Sequence, residues 1–457
     1  MNRTTTYRIQ YLDRLRVLSV LLVVLTHIVE RCPVASPGEG GSRAFVMLDM
    51  ALLTCNALFI LQSGALLLRG YAENTEGGRP DNILAGPGMA RPARESLGAF
   101  YRRHLARLLI PWLIYYLIYL VAHEGWRALA PQKWPELIRH LVLNDLGYTP
   151  HFWLLYVILV CYLVTPLLRR LMNGHTGRWL AAVTVAGIVL LAVIDSALLP
   201  FVQNQALPTA QLFEGSQAAI EVKQGSPAGW MAAAAVVEYT GWIAVFMAGA
   251  YCATEHAKKH VRRIAAASLA AAAILIAMTL RCPAGQLDAI YSLRAVNLLL
   301  AMGTFMAVRL WTKEGSAEKT LSTAWAMQGR TDASRQSSET QDIVETGSDQ
   351  KEQSARRPGL LVRYSYPILL IHWGILSLIL KVLPLSNEDA DVLTSAESAG
   401  ATVLPAPGSA GMLALRAAVV FALTVALSLA AGFAIEQVRT RLWAGIQQIM
   451  KKRPAMM

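Results

Sequence analysis

Long runs of Leu, Val, Ala and Ile dominate the chain, separated by shorter stretches that gather Arg, Lys, Asp, Pro and Gly. Ten of the runs can cross about 30 Å of hydrocarbon as helices, which takes roughly 20 residues at about 1.5 Å rise each. They cover 15–31, 44–68, 104–123, 151–171, 178–199, 229–253, 264–281, 290–310, 361–383 and 412–436. The pattern predicts an all-α fold, a polytopic bundle of about ten transmembrane helices. In lipid every backbone polar group needs an internal partner, and a helix supplies one. The seventh, eighth and tenth runs are rich in Ala, which suits close helix packing.

The polar positions between the runs set orientation. With the N-terminus inside, the alternating inner flanks hold 32 of the 42 Lys and Arg residues and leave 10 for the outer side. That bias predicts that both termini are cytoplasmic, and losing one helix would scramble it. Residues 312–357, rich in Ser, Thr, Gln, Glu and Lys, read as a disordered cytoplasmic insert. They divide a transmembrane core of eight helices (1–311) from a second portion of two helices (358–440), followed by a basic cytoplasmic tail (441–457). Residues 384–410 form an acidic outer loop. Trp126, Trp134 and Trp230 belong to outer segments and fit a headgroup belt better than a substrate contact. Residues 1–35 share the basic start and apolar stretch of a signal peptide. The stretch ends in His27 and Glu30 with no small-residue cleavage site, so a retained helix is expected.

Composition narrows the picture further. Only 16% of residues are charged, which points to lipid as solvent. The net charge of +12 is spread between apolar blocks without interleaved aromatics, so membrane topology explains it better than nucleic acid does. Five cysteines show neither CxxC spacing nor a nearby histidine cluster, and no metal site is expected. Cys32 and Cys282 would share the outer side, which leaves a disulfide open. No P-loop, nucleophile elbow or zinc motif competes.

The chemistry concentrates on the first run. Arg16 and His27 are eleven residues apart. Eleven residues turn through about 1,100°, so both side chains share one helix face, about 16 Å apart along the axis. Arg16 lies at the cytoplasmic edge and His27 well into the membrane, where an ionisable side chain is costly and defaults to function. A lone Arg at a helix end can be a positive-inside anchor, and a membrane histidine can be a packing residue.

Five segments resemble one family. Leu12-Asp13-Arg14-Leu15-Arg16, the apolar run and His27 resemble the opening of the acyltransferase-3 family, whose mark is an Arg and a His ten intervening residues apart. NALFILQSG from Asn56 to Gly64 resembles its second-helix block, here with Gln62 before Ser63-Gly64. FYRRHLARLLIPW from Phe100 to Trp112 resembles the basic lead-in to its third helix. HFWLLY from His151 to Tyr156 and YSYPILLIHW from Tyr364 to Trp373 resemble its fourth-helix and late blocks. The likeness is greatest to the compact branch that O-acylates surface polysaccharides, without an appended esterase-like domain.

The resemblance implies a bacterial inner-membrane enzyme with no tightly bound cofactor. Acyl-CoA, acetyl-CoA first, would be the cytoplasmic donor, and a carbohydrate or lipid-linked glycan the acceptor, with succinyl transfer as the close variant. Arg16 is then the first choice for the donor phosphates, with Arg14, Arg102, Arg103 and Arg107 as helpers. His27 becomes the general base, or the carrier of a transient acyl group. Glu30, one turn beyond, can orient the imidazole or sit among headgroups. Asp49, Asn56 and Ser63 can face the same cavity, and Glu238 is a further buried acid. Ser63-Gly64 can instead serve a close backbone approach. Trp153 and Tyr156, three apart on one face, can line a sugar or acyl site or simply pack, and His372 is a candidate polar contact. Ten helices with intramembrane charges also suit a transporter or glycolipid flippase, although no repeat or paired broken helices support one. A non-catalytic membrane scaffold rests on the insert alone.

Overall fold

The computed structural model describes residues 9–31, 39–72, 96–143, 149–172, 177–205, 241–283, 287, 290–291, 293–312, 359–385 and 410–451. The 312–357 insert beyond residue 312, most of the acidic 384–410 loop, Cys32, Trp230 and Glu238 lie outside the described residues. Everything described is helix, turn or irregular backbone, without a strand. The helices are α1 (Gln10–Val29), α2 (Glu39–Leu52), α3 (Thr54–Ala72), α4 (Leu97–Glu124), α5 (Trp134–Leu143), α6 (Trp153–Met172) and α7 (Gly177–Gln205). They continue with α8 (Gly241–Cys252), α9 (Glu255–Lys259), α10 (Val261–Arg281), α11 (Arg294–Trp311), α12 (Leu360–Leu380) and α13 (Ala410–Lys451).

A helix overlaps each of the ten apolar runs. Among the described residues, six helical stretches are long and apolar enough to cross a membrane by length and composition. The chain is therefore a multi-pass all-α membrane protein. α1 falls outside those six because Asp13, Arg14 and Arg16 crowd its first turns. α13 outruns its apolar stretch and continues through residues assigned above to the basic tail.

α1 is the hub, packing against α2, α3, α11, α12 and α13. Its Leu15, Val24 and Ile28 are fully buried. The periphery is the reverse: Val185 of α7, Leu269 of α10 and Leu415 of α13 are exposed, as lipid-facing positions should be. Gly64 of α3 and Gly249 of α8 cross in direct backbone contact. A Cβ on Gly64 would lie 1.8 Å from the Phe246 carbonyl oxygen, and one on Gly249 1.9 Å from that of Leu61. Small residues let membrane helices approach this closely, so Ser63-Gly64 has the packing use considered above.

Two local features escaped the apolar pattern. The second run is two helices, interrupted at Leu53. The Thr54 hydroxyl donates to the Ala51 carbonyl (2.6 Å) and the Asn56 N–H to the Leu53 carbonyl (3.2 Å), which holds the break. Arg309, one of the 32 Lys and Arg residues assigned above to inner flanks, is only 2% exposed. Its guanidinium donates to the Cys252 and Thr254 carbonyls (2.7 Å each) and to Glu255 (2.9 Å), and lies over Tyr11. A buried cation persists only when so satisfied; here it ties the end of α11 to the α8–α9 corner and to α1.

Candidate functional site

The C-terminal half of α1 carries the site. His27 Nδ1 lies 2.8 Å from Glu30 Oε2, one helical turn on. The carboxylate accepts, so the neutral imidazole carries its proton on Nδ1 and keeps its lone pair on Nε2. His372 of α12 stacks on His27, with ring centroids 5.4 Å apart and planes inclined by 17°. Trp373 meets His27 edge-on at 4.9 Å, and Arg31 lies over the same indole. His151, in the 3-10 turn Pro150–Phe152 that leads into α6, packs against His372 at 5.2 Å.

Backbone carbonyls fix His372 and His151. His372 Nδ1–H donates to the Leu369 carbonyl at 2.9 Å and lies 3.2 Å from that of Ile368. His151 Nε2–H donates to the Leu370 carbonyl at 3.2 Å. Tyr119 of α4 completes the collar, donating to the Ile371 carbonyl (3.3 Å) and accepting from the Gly374 N–H (2.8 Å). His372 Nε2 and His151 Nδ1 remain buried without hydrogen-bond partners among the described residues. Tyr119 had no signal beyond its place in an apolar run, and His151 and Trp373 only their places in family-like motifs.

A cavity opens beside His27. Thr26, His27 and Glu30 line it from α1, Cys55 and Asn56 from just past the Leu53 break, and His151 and Trp153 from the start of α6. Trp242 of α8 lies across from Trp153, with ring centroids 5.7 Å apart. Tyr291, Arg294 and Asn297 close the α11 side. The Tyr291 hydroxyl donates to Asp49 Oδ2 at 2.8 Å, so Asp49 stands behind the wall through that tyrosine.

The remaining sequence candidates are placed apart from this cavity. Tyr156, expected to share a face with Trp153, bonds the Leu141 carbonyl and packs on Trp112. Ser63 bonds Tyr162, whose ring also lies within electrostatic reach of Arg16. Arg16 is partly exposed, with Asp13 4.0 Å away. Between Arg16 and His27, Gln62 Nε2 donates to Ser19 Oγ at 2.8 Å, which gives the departure at Gln62 a structural use. Arg14 lies over Trp311, on another side of α1 from Arg16. Arg102, Arg103 and Arg107 are exposed on α4. No His, Cys, Asp and Glu cluster with metal-site geometry occurs among the described residues.

A family model described as an acyltransferase domain, that of acyltransferase 3, matches residues 9–334. The chain belongs to the acyltransferase-3 family. It is thus a membrane acyltransferase, and the matched span takes in α1 to α11 with the His27–Glu30 pair, Asn56 and His151. The match ends before α12, so His372 and Trp373 reach the site from outside it. Comparison with curated proteins and with solved structures returns no match.

Proposed function

We propose that this acyltransferase moves an acyl group, acetyl first and succinyl as its variant, from cytoplasmic acyl-CoA to a hydroxyl of a surface polysaccharide or its lipid-linked precursor. The observation that carries the reading is the His27–Glu30 pair at the wall of a cavity, 2.8 Å between Nδ1 and Oε2. Glu30 holds the tautomer in which Nε2 is the base, and it stabilises the imidazolium formed in the reaction, the logic by which a carboxylate supports a catalytic histidine. The acceptor hydroxyl loses its proton to Nε2 as its oxygen bonds to the thioester carbonyl carbon. The carbonyl π pair moves to oxygen, then returns to expel the CoA thiolate, which takes the proton from His27. The ester and free CoA are the products.

Trp153 and Trp242 suit a carbohydrate: pockets for such ligands combine aromatic faces with a few placed polar groups. Arg16 is the candidate for the CoA phosphates at the inner mouth, and the roughly 16 Å rise along α1 to His27 is compatible with the reach of the pantetheine arm. The test compares surface glycans by mass spectrometry in cells carrying the wild-type chain or His27→Ala at equal protein level. Loss of acyl groups supports the reading and retention ends it. Solute uptake by the reconstituted chain without any acyl donor would favour transport instead.

A further inference from the structure

Acyl transfer through His27 leaves one charge without a partner. As the hydroxyl adds to the thioester, negative charge develops on the carbonyl oxygen, and a placed donor there is often the largest single catalytic contribution. His27 and Glu30 cannot serve, since the base must present a lone pair and the carboxylate only accepts. Arg294 places a cation on the α11 side of the wall, and several other polar groups there have a proton committed. The Thr26 hydroxyl donates to the Leu22 carbonyl at 2.9 Å, and the Tyr291 hydroxyl to Asp49. Asn297 Nδ2 points to the Met50 carbonyl at 3.4 Å. His151 spends its one proton on Leu370.

Asn56 differs. It lines the cavity three residues beyond the Leu53 break. The Cys55 thiol lies 3.7 Å from its Oδ1, so the carbonyl end of the amide faces Cys55 and the NH2 end faces away. Nδ2 has no hydrogen-bond partner among the described residues, yet it is not among the atoms that packing seals from solvent. It is therefore an accessible, uncommitted donor. Asn56 and His27 line the same cavity, and the neighbouring Cys55 packs in one cluster with Val23, one turn below His27, and with Leu369 of α12.

We propose that Asn56 is a catalytic residue, its Nδ2–H donating to the thioester carbonyl oxygen as charge builds there. This rests on the reading of His27 as base, and it adds the group that stabilises the oxyanion. The covalent steps are unchanged; Asn56 gains and loses no proton. The break at Leu53 then has a consequence, since it sets the register in which α3 offers Asn56 to the cavity beside α1.

The test uses the full chain in membrane vesicles, with acetyl-CoA and succinyl-CoA as donors and CoA thiol release as the readout. Asn56→Ala and the near-isosteric Asn56→Asp should each lower kcat by about 10²- to 10³-fold, with KM for the donor within about twofold. A second measurement needs no turnover: the infrared carbonyl stretch of [1-13C]acetyl-CoA bound to the His27→Ala chain. It should lie below its value in water and move back up when Asn56→Ala is added. An unchanged kcat, a loss confined to KM, or a stretch indifferent to Asn56 each overturns the proposal. The reading of His27 fails separately. Full thiol release by His27→Ala, or none by the wild type with either donor, removes that reading and the oxyanion role with it.

Discussion

The two ends of α1 are built in opposite ways. At the C-terminal end His27 is held by Glu30, stacked on His372 and braced by Trp373, while backbone carbonyls of α12 fix the neighbouring His372 and His151. At the N-terminal end Arg16 is partly exposed, Arg14 turns to Trp311, and Arg102, Arg103 and Arg107 are exposed on α4. Chemistry demands placement to a fraction of an ångström, so a base is best set by packing before the substrate arrives. A phosphate is recognised by charge, which acts over longer distances and tolerates flexible side chains. The His27 end is packed in place, and the Arg16 end carries exposed charge.

The largest effect should come from the His27 end. His27→Ala should cut the chemical step by about 10²- to 10⁴-fold, the usual contribution of a general base, read as CoA release at saturating donor. An equal loss appearing only in KM would break the contrast between the two ends. Glu30→Gln keeps shape but loses the charge that supports the imidazolium. A hydrogen bond to a charged group contributes about 1.5–3 kcal/mol, so kcat should fall about 10- to 100-fold with donor KM little changed. Arg16→Lys should act at the other end: a point charge in place of a planar fork raises donor KM by about tenfold, while kcat stays within about twofold. A kcat loss matching that of His27→Ala would place Arg16 in the chemistry instead.

A fourth substitution tests the scaffold beneath the site. Gly64→Ala puts a methyl where the Phe246 carbonyl already sits, so α3 and α8 must separate. Overpacking of this kind costs about 1–3 kcal/mol. The midpoint of thermal unfolding in detergent should fall by a few degrees, and activity should follow the folded fraction. An unchanged midpoint would show that the crossing has slack.

Periodicity and hydropathy made the helices legible, because lipid leaves a chain few other ways to satisfy its backbone. They could not show the break at Leu53, which depends on Thr54 and Asn56 finding backbone carbonyls within a continuous apolar run. Charge counting likewise treated Arg309 as one more inner-flank cation, because burial depends on three carbonyl and carboxylate oxygens from residues 252 to 255. The i+3 spacing of Glu30 made its pairing with His27 one of two readings, and the structure shows the two side chains 2.8 Å apart. The stacking of His372 was not, because it joins residues 345 positions apart in number.

By itself the sequence determined a polytopic all-α membrane protein, the family signature on α1, and the shared face of Arg16 and His27. Each follows from local rules, since helical phase and hydropathy need only neighbouring residues. Tertiary structure alone decided which groups stand around His27. It brought α12, the turn before α6 and the broken second run to one wall of α1, and it left Tyr156 and Arg14 facing elsewhere. That placement arises from helix packing between distant segments, where a single close crossing such as Gly64 with Gly249 fixes which faces can meet.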